Sequence, residues 1–257
     1  MTGELVRDFK PADDLLSLAD ATIYVPNRRA ARALSTAFLG WFEGRATLLP
    51  TIRTLGDTDD LDFGLDGWGA ADGPELLPIS DLDRKLQLSS LIQGWKDAIA
   101  DETCKLFGDE EIIIPTHAAD SIRLADDLAI LLTQFTQEEL DWNEVSALVP
   151  EDHADWWRLT TAFLQIIMKN WPDHLAELGL LDPAEHAVRS LKARAVRYSE
   201  KGSIGPVIVA GSTGSVPSTQ LLLKAVAGLP LGAVVLPGVD FHVPDAEWER
   251  LSDPNLP

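Results

Sequence analysis

The chain has 257 residues, 46% of them hydrophobic, which is enough for one large or two small globular domains and excludes a disordered or fibrous protein. Its 21 Lys and Arg against 41 Asp and Glu give a net charge of −20, which disfavours nucleic-acid binding unless a local basic patch or a basic partner reverses it. The single cysteine, Cys104, excludes an internal disulfide and favours a reducing compartment, so we expect a cytoplasmic protein.

A strand and a helix are the first elements that the sequence predicts. Residues 21–26, ATIYVP, are rich in β-branched and aromatic side chains, and NRRAARALSTAFLGWF follows them with helical periodicity and Asn27 as its N-cap. No signal-peptide pattern precedes them, and no apolar run in the chain approaches the ~20 residues of a membrane helix, so we expect no membrane contact. The predicted buried face of the helix consists of Ala30, Leu34, Ala37, Phe38 and Trp41.

The middle of the chain, from about Pro78 to Gly202, predicts four helices with short connections. An aperiodic Asp- and Gly-rich stretch, Leu55 to Pro74, precedes them and is typical of a long exposed loop. Ser80 or Asp81 is the predicted cap of the first helix, and the last helix begins with Asp182 as N-cap, Pro183 and then Glu185. The predicted apolar stripes are Leu88, Leu91, Ile92 and Trp95 in the first helix, Ile122, Ala125, Ala129, Leu132 and Phe135 in the second, and Trp156, Phe163 and Ile167 in the third.

After Gly202 the strand pattern returns in PVIVAG, a helix follows from about Pro217 to Ala227, and GAVVLPG predicts one more strand. Continuous apolar runs of this kind are typical of parallel strands that are covered on both faces. We therefore expect an α/β fold in which residues 1–74 and 203–257 share one parallel sheet. Residues 75–202 form a large all-helical insertion.

The stretch VIVAGSTGSVPST has the strand, small-residue loop and helix start of an anion site. It lacks the lysine of a Walker loop, and Ala210 and Gly211 stand where a nucleotide-hydrolysing site needs metal-binding carboxylates. The histidines have no metal-site spacing, and no catalytic residue is assigned. One interpretation is a stand-alone α/β enzyme or small-molecule binding domain that uses the Ser212–Ser215 loop as an anion site.

Two blocks support another interpretation. TIYVPNRRAARALSTAFLGWFEG, together with PVIVAGSTGSVPSTQLLLKAVAGLPLGAVVLPGVD far downstream, resembles the N-terminal region of AddB, the second subunit of the bacterial AddAB helicase-nuclease, in its alphaproteobacterial type. The resemblance extends over the whole chain, although only these two blocks are specific. It implies a degenerate superfamily 1 helicase-like (P-loop NTPase-like) core, with the helical middle as the subdomain inserted into such motors.

The resemblance implies site residues of two kinds. In active helicases the turn and helix after the corresponding strand contact single-stranded DNA, and the acidic motif and its neighbours form the ATPase site. This chain keeps the frame of that site without the acidic pair, which implies a subunit that is not a motor. The candidate DNA contacts are Asn27, Arg28, Arg29 and Arg32, and the degenerate motif consists of Ala210, Gly211, Gln220, Gly238 and Asp240.

The resemblance also implies partners and cofactors. The parent complex is an ATP-dependent helicase and exonuclease that processes double-strand breaks for recombinational repair, and in it AddB pairs with an AddA-type ATPase/nuclease subunit and with DNA. ATP, Mg and an iron-sulfur cluster belong to that complex, and with one cysteine this chain does not hold the cluster. We expect a fragment that starts after the first strand of the core and stops before the nuclease domain, and that holds part of the surface for the recombination hotspot.

Overall fold

The structure is a computed structural model, and it describes residues 17–42, 46–55, 76–106, 117–141, 154–239, 242–244, 247 and 250. The predicted Asp-rich loop lies outside these residues except for Leu55, and so do the side chains of Trp95, Trp156 and Phe163. The chain divides into two compact units, one of residues 1–53, 203–213 and 226–257, and one of residues 54–202 and 214–225. The domain boundaries expected at 74/75 and 202/203 stay a prediction.

Strands and helices alternate at both ends of the chain, and helices dominate the middle. After a 3₁₀ turn at Ser17–Asp20, the described elements are β1 (Thr22–Val25), α1 (Arg28–Trp41), β2 (Thr51–Thr54), β3 (Leu77–Pro78), α2 (Asp81–Leu106), α3 (Ala118–Gln137), α4 (Ala154–Glu177), β4 (Leu180–Leu181), α5 (Pro183–Lys201), β5 (Val207–Ala210), α6 (Pro217–Ala227) and β6 (Gly232–Val235).

The main sheet of the described residues has four strands in the order β2-β1-β5-β6. β5 pairs in parallel with β1, with Thr22 opposite Val207, and in parallel with β6, with Val207 opposite Gly232. The predicted α/β class with a parallel sheet from both ends of the chain is therefore confirmed. β2 was not expected, because TIRT is short and half polar, and the backbone N–H of Thr51 joins it to the carbonyl of Ala21 at 2.9 Å.

Burial differs between the two C-terminal strands. All four residues of β5 are buried, as expected for a strand that is covered on both faces. The same expectation is wrong for β6, where Gly232 and Val234 are partly buried and Ala233 and Val235 are exposed. β6 lies at the end of the strand order in the described sheet, which explains why its side chains have fewer neighbours.

The apolar core of the first unit joins one face of α1 to strands β1 and β5. Leu34 and Phe38 are buried as predicted, but Ala37 and Trp41 are exposed, and Phe42 takes the place that was predicted for Trp41. Phe42 lies four residues after Phe38, as Phe38 lies four after Leu34, and its backbone N–H still donates to the carbonyl of Phe38 at 3.1 Å. It therefore continues the buried row of the helix just beyond its last residue, and Trp41 lies beside that row. The buried cluster consists of Leu18, Ile23, Val25, Leu34, Phe38, Phe42, Ile208 and Ala210.

The second unit contains helices α2 to α5 and residues 217–225 of α6. Its buried cluster takes residues from α2, α3 and α4, and Ile79 from the segment before α2. Ile122 is an error in the predicted stripe of α3, because its side chain is 36% exposed while Ser121 is buried in its place. The cluster consists of Ile79, Leu88, Ile92, Ala125, Leu128, Leu132, Ile167, Trp171 and Leu175.

A short parallel pair of strands, β3 with β4, accompanies the helices, so the expectation that residues 75–202 are all helical is wrong at these two positions. The two strands bring the start of α2 beside the start of α5, two helices that are both capped as expected. The Ser80 hydroxyl accepts the backbone N–H of Asp83 at 3.1 Å, and Asp182 Oδ1 accepts that of Ala184 at 2.9 Å. None of the helices in the described residues combines the length and the hydropathy that a bilayer crossing requires.

Candidate functional site

The two sequence blocks that carry the resemblance meet in the first unit. β1 and β5 are parallel neighbours in register, so their carboxyl ends lie at the same edge of the sheet. A Cβ atom at Gly211 would lie 3.4 Å from Cγ of Pro26, which shows that the residues just after the two strands lie close together. We call Pro26–Arg29 and Gly211–Thr213 the carboxyl edge.

Asn27 determines where α1 begins. Its extended backbone and its side-chain Oδ1, which accepts the N–H of Ala30 at 2.9 Å, make it the N-cap that the sequence predicted. Arg28, Arg29 and Arg32 follow within the first five helical residues, all three are exposed, and the first turn contains no acidic residue.

Cations at the start of a helix are the reverse of the usual arrangement. The free N–H groups and the helix dipole make that end positive, so carboxylates stabilise it and arginines do not. In a chain with a net charge of −20, this end of α1 therefore concentrates positive potential where helix stability alone would place Asp or Glu. An anion such as a phosphodiester would offset that charge.

The end of β5 has no group for nucleotide hydrolysis. Ala210 is buried, and Gly211, with a φ of 82°, turns the chain where the carboxylates of an ATPase would stand. The N–H of Gly211 donates to the carbonyl of Val235 at 2.9 Å, which ties this turn to the end of β6. Neither Ala210 nor Gly211 has a side chain that ligates a metal or activates water.

The other residues of the degenerate motif are Gly238, Gln220 and Asp240. Gly238 follows β6 with a φ of 71° and is exposed, while Asp240 lies outside the described residues. Gln220 is exposed in the first turn of α6, where its backbone N–H donates to the carbonyl of Val216 at 2.9 Å. Of the degenerate motif, the carboxyl edge therefore contains Gly211, and Ala210 is the strand residue just before it.

Sequence reasoning missed a buried ion pair in the second unit. Arg84 of α2 donates from Nε to Asp182 Oδ2 at 2.9 Å and from Nη2 to Oδ1 at 3.1 Å, across 98 positions of sequence. Trp171 Nε1 donates to the same Oδ2 at 2.8 Å, and Arg84 Nη1 donates to the hydroxyl of Thr133 at 3.0 Å. The only signal in the sequence was the N-cap motif at Asp182.

This ion pair is a structural element. Arg84 and Asp182 are both 8% exposed, and Asp182 accepts from a guanidinium, an indole and a backbone N–H, so its carboxylate is fully engaged. Across the described part of the chain, no three His, Cys, Asp or Glu side chains come close enough to hold a metal ion. The carboxyl edge is therefore the candidate site, and its exposed cations are Arg28 and Arg29. No protein-family model matches the chain, and no curated protein matches it.

Proposed function

We propose that this chain is the non-motor, helicase-like N-terminal part of an AddB-type subunit, and that it is a scaffold which docks on an AddA-type ATPase/nuclease and guides a DNA strand. One observation carries the proposal: the two resembling blocks, separated by more than half of the chain, begin with strands that are parallel neighbours in the sheet. Pro26 and Gly211 lie close together there. A sheet with this strand-turn-helix frame on both strands is what a helicase-like core requires.

The role in strand guidance is supported by the cations of α1. A DNA strand is held mainly through its phosphates, by Arg and Lys side chains and by helix N-termini. Arg29 and Arg32 are exposed, and the same end of the helix adds its own partial positive charge. Because the rest of the chain is acidic, we expect strong binding of DNA only in the assembled complex.

The absence of motor activity is supported by the end of β5. Phosphoryl transfer requires carboxylates that hold Mg and position water, together with a lysine on the terminal phosphates. Ala210 and Gly211 supply neither, and the loop from Gly211 to Ser215 has no basic side chain. The alternative, a small-molecule domain that binds an anion at Ser212–Ser215, stays a prediction, and the lack of a cation on that loop argues against it.

The experiment is a measurement of DNA binding by the complex of the full chain with an AddA-type partner. Fluorescence anisotropy of a labelled single-stranded oligonucleotide gives the affinity as a function of salt concentration. The double variant Arg29→Gln/Arg32→Gln removes two phosphate contacts, so the slope of log K against log salt should become shallower by roughly 1.4. Affinity should fall for all sequences alike, because phosphate contacts do not read bases.

A charge-matched control separates a local contact from the general effect of charge. Arg123→Gln/Lys169→Gln changes the net charge by the same amount at exposed positions of α3 and α4. If both double variants lose equal affinity, strand guidance by α1 is wrong. Hydrolysis of Mg-ATP by the isolated chain, or failure to associate with an AddA-type subunit, contradicts the scaffold proposal. Phosphate density at Ser212–Ser215 in soaked crystals would favour the alternative.

A further inference from the structure

A pocket of about 330 Å³ opens in the second unit, bounded by the end of α3, by α4 and by the first half of α5. This volume lies at the small end of the range for ligand sites. Its apolar side chains include Phe135, Met168 and Val188, of which Phe135 and Val188 are buried and Met168 is partly buried. Methionine is unbranched and polarisable, so such a lining adapts to apolar ligands of different shape.

Helix α5 places charged groups beside these apolar ones. Glu185, Val188, Arg189 and Lys192 all line the pocket, and their spacing of three, one and three residues puts them on one stripe of the helix. One helical face therefore supplies an apolar contact and two cations to the same cavity. That combination is typical of a site for a ligand with an apolar body and an anionic group.

Arg189 has unused hydrogen-bonding capacity. Its Nε donates to Glu185 Oε1 at 2.6 Å, one turn earlier on the same helix. Within the described residues, its two terminal nitrogens have no hydrogen-bond acceptor. A guanidinium in this state presents a planar pair of donors, which matches the two oxygens of a carboxylate.

Lys192 already binds a carboxylate from the protein itself. Its Nζ lies 2.6 Å from Oε2 of Glu139, which follows the end of α3. Glu139 has a φ of 53°, the left-handed conformation that glycine usually provides after a helix. The N–H of Leu140 donates to Phe135 and that of Glu139 to Thr136, which completes the two-bond helix end.

A glutamate at this position costs backbone strain that a glycine would avoid. Its side chain nevertheless gains the contact with Lys192, at the rim of the same pocket. Backbone strain that persists at a pocket is a reason to examine that pocket for function. In this structure the carboxylate of Glu139 is paired with the ammonium group of Lys192. The carboxylate of a ligand would compete with Glu139 for that ammonium group.

We propose that this pocket binds a small organic carboxylate with an aromatic or aliphatic body. The body packs on Phe135, Met168 and Val188, and the carboxylate pairs with the terminal nitrogens of Arg189. Lys192 becomes a second donor when Glu139 gives way. The two cations and the carboxylates of Glu185 and Glu139 sum to zero, so a monoanion meets little local repulsion although the chain as a whole is acidic.

The first test compares 3-phenylpropionate with its uncharged amide on the full chain. Calorimetry measures affinity, and amide shifts in heteronuclear NMR spectra show where the probe binds. We expect the acid to bind in the low-millimolar range or tighter, to shift the amides of Glu139 and Leu140, and to bind about tenfold more tightly than the amide, the effect of one charge-assisted hydrogen bond. Equal binding of acid and amide, or shifts elsewhere, would overturn the proposal.

Two variants with opposite expected effects make the test specific. Arg189→Gln should weaken binding of the acid by about tenfold, because the paired donors are lost. Glu139→Gln should strengthen it, because the competing carboxylate is removed while Lys192 remains. Arg123→Gln is the matched control, since Arg123 is exposed on α3 and does not line the pocket. A loss of affinity in Glu139→Gln, or an equal loss in the two arginine variants, would contradict the assignment.

Discussion

At the residue scale, Asp182 is a buried side chain that connects separate elements of the second unit. One carboxylate caps α5 and accepts hydrogen bonds from Arg84 of α2 and Trp171 of α4, so it joins three helices. The cap could be predicted, because Asp, Pro and Glu at these spacings are a local signal. The pairing with Arg84 could not, because nothing in either neighbourhood indicates a contact between residues 98 positions apart.

We predict that Asp182→Asn lowers the free energy of unfolding by about 3–5 kcal/mol, because it leaves the Arg84 guanidinium buried without a counter-charge. Urea denaturation followed by circular dichroism measures the loss. Asp126→Asn is the control, since the Lys85–Asp126 pair is exposed and its removal should cost less than about 1 kcal/mol. Equal losses in the two variants would show that Arg84 is satisfied by other groups.

His186 of α5 makes stability depend on pH. Burial, and secondarily the positive charge of Arg194, hold the pKa of His186 below its ordinary value of 6.5, and its Nδ1 is buried without a hydrogen-bond partner in the described structure. The folded state therefore binds its proton less readily than the unfolded chain does. The contribution to stability is present above the ordinary value and is lost as the pH falls below it.

We predict that His186→Leu reduces the loss of stability on acidification through pH 6.5. Unfolding free energies measured above and below that value, for the wild type and the variant, give the two differences to compare. The carboxylates titrate in both proteins, so the comparison isolates the histidine. An identical pH dependence in the two proteins would show that His186 titrates alike in the folded and unfolded states.

At the scale of elements, the sequence predicts those that neighbouring residues encode and does not predict those that depend on partners distant in the chain. β1, α1, α5, β5 and α6 are encoded locally, by apolar runs and by caps such as Asn27 and Asp182. β2 and the β3–β4 pair are short, and they exist through partners that are distant in sequence. The two strand ends that form the carboxyl edge could each be predicted from a local sequence pattern. That Pro26 lies close to Gly211 could be seen only from the strand order of the sheet.

The turn between α6 and β6 depends on Gly232. A Cβ atom there would collide with the carbonyl oxygen of Val226 and would lie 2.9 Å from Cβ of Leu229. We predict that Gly232→Ala costs about 3 kcal/mol in unfolding free energy, because a backbone atom has to move. Gly94→Ala in α2, where no other described residue comes within 4 Å of the added Cβ apart from the helix's own backbone, should instead gain about 1 kcal/mol from helix propensity. Chemical denaturation of both variants checks the contrast, and a neutral Gly232→Ala would contradict the close packing.

At the scale of the whole molecule, the charge of −20 opposes folding through self-repulsion and also opposes DNA binding. The negative potential of the acidic residues reduces the positive potential around the arginines of α1. A partner that covers acidic surface would therefore raise that local positive potential. The proposed carboxylate pocket depends on local charge in the same way, because its two cations and two carboxylates cancel. A net negative charge around the pocket would repel an anionic ligand. Local charge arrangement therefore decides both proposed functions.

We predict that NaCl stabilises the isolated chain, because screening shortens the Debye length from ~30 Å at 0.01 M to ~3 Å at 1 M and so weakens repulsion throughout the molecule. Salt also weakens exposed ion pairs such as Lys192–Glu139, but each of these contributes less than about 1 kcal/mol. Urea midpoints at the two salt concentrations measure the sum. The variant Asp127→Asn/Glu177→Gln, which removes two exposed acids, should respond less. A midpoint that falls with salt would mean that attractive pairs outweigh repulsion in this fold.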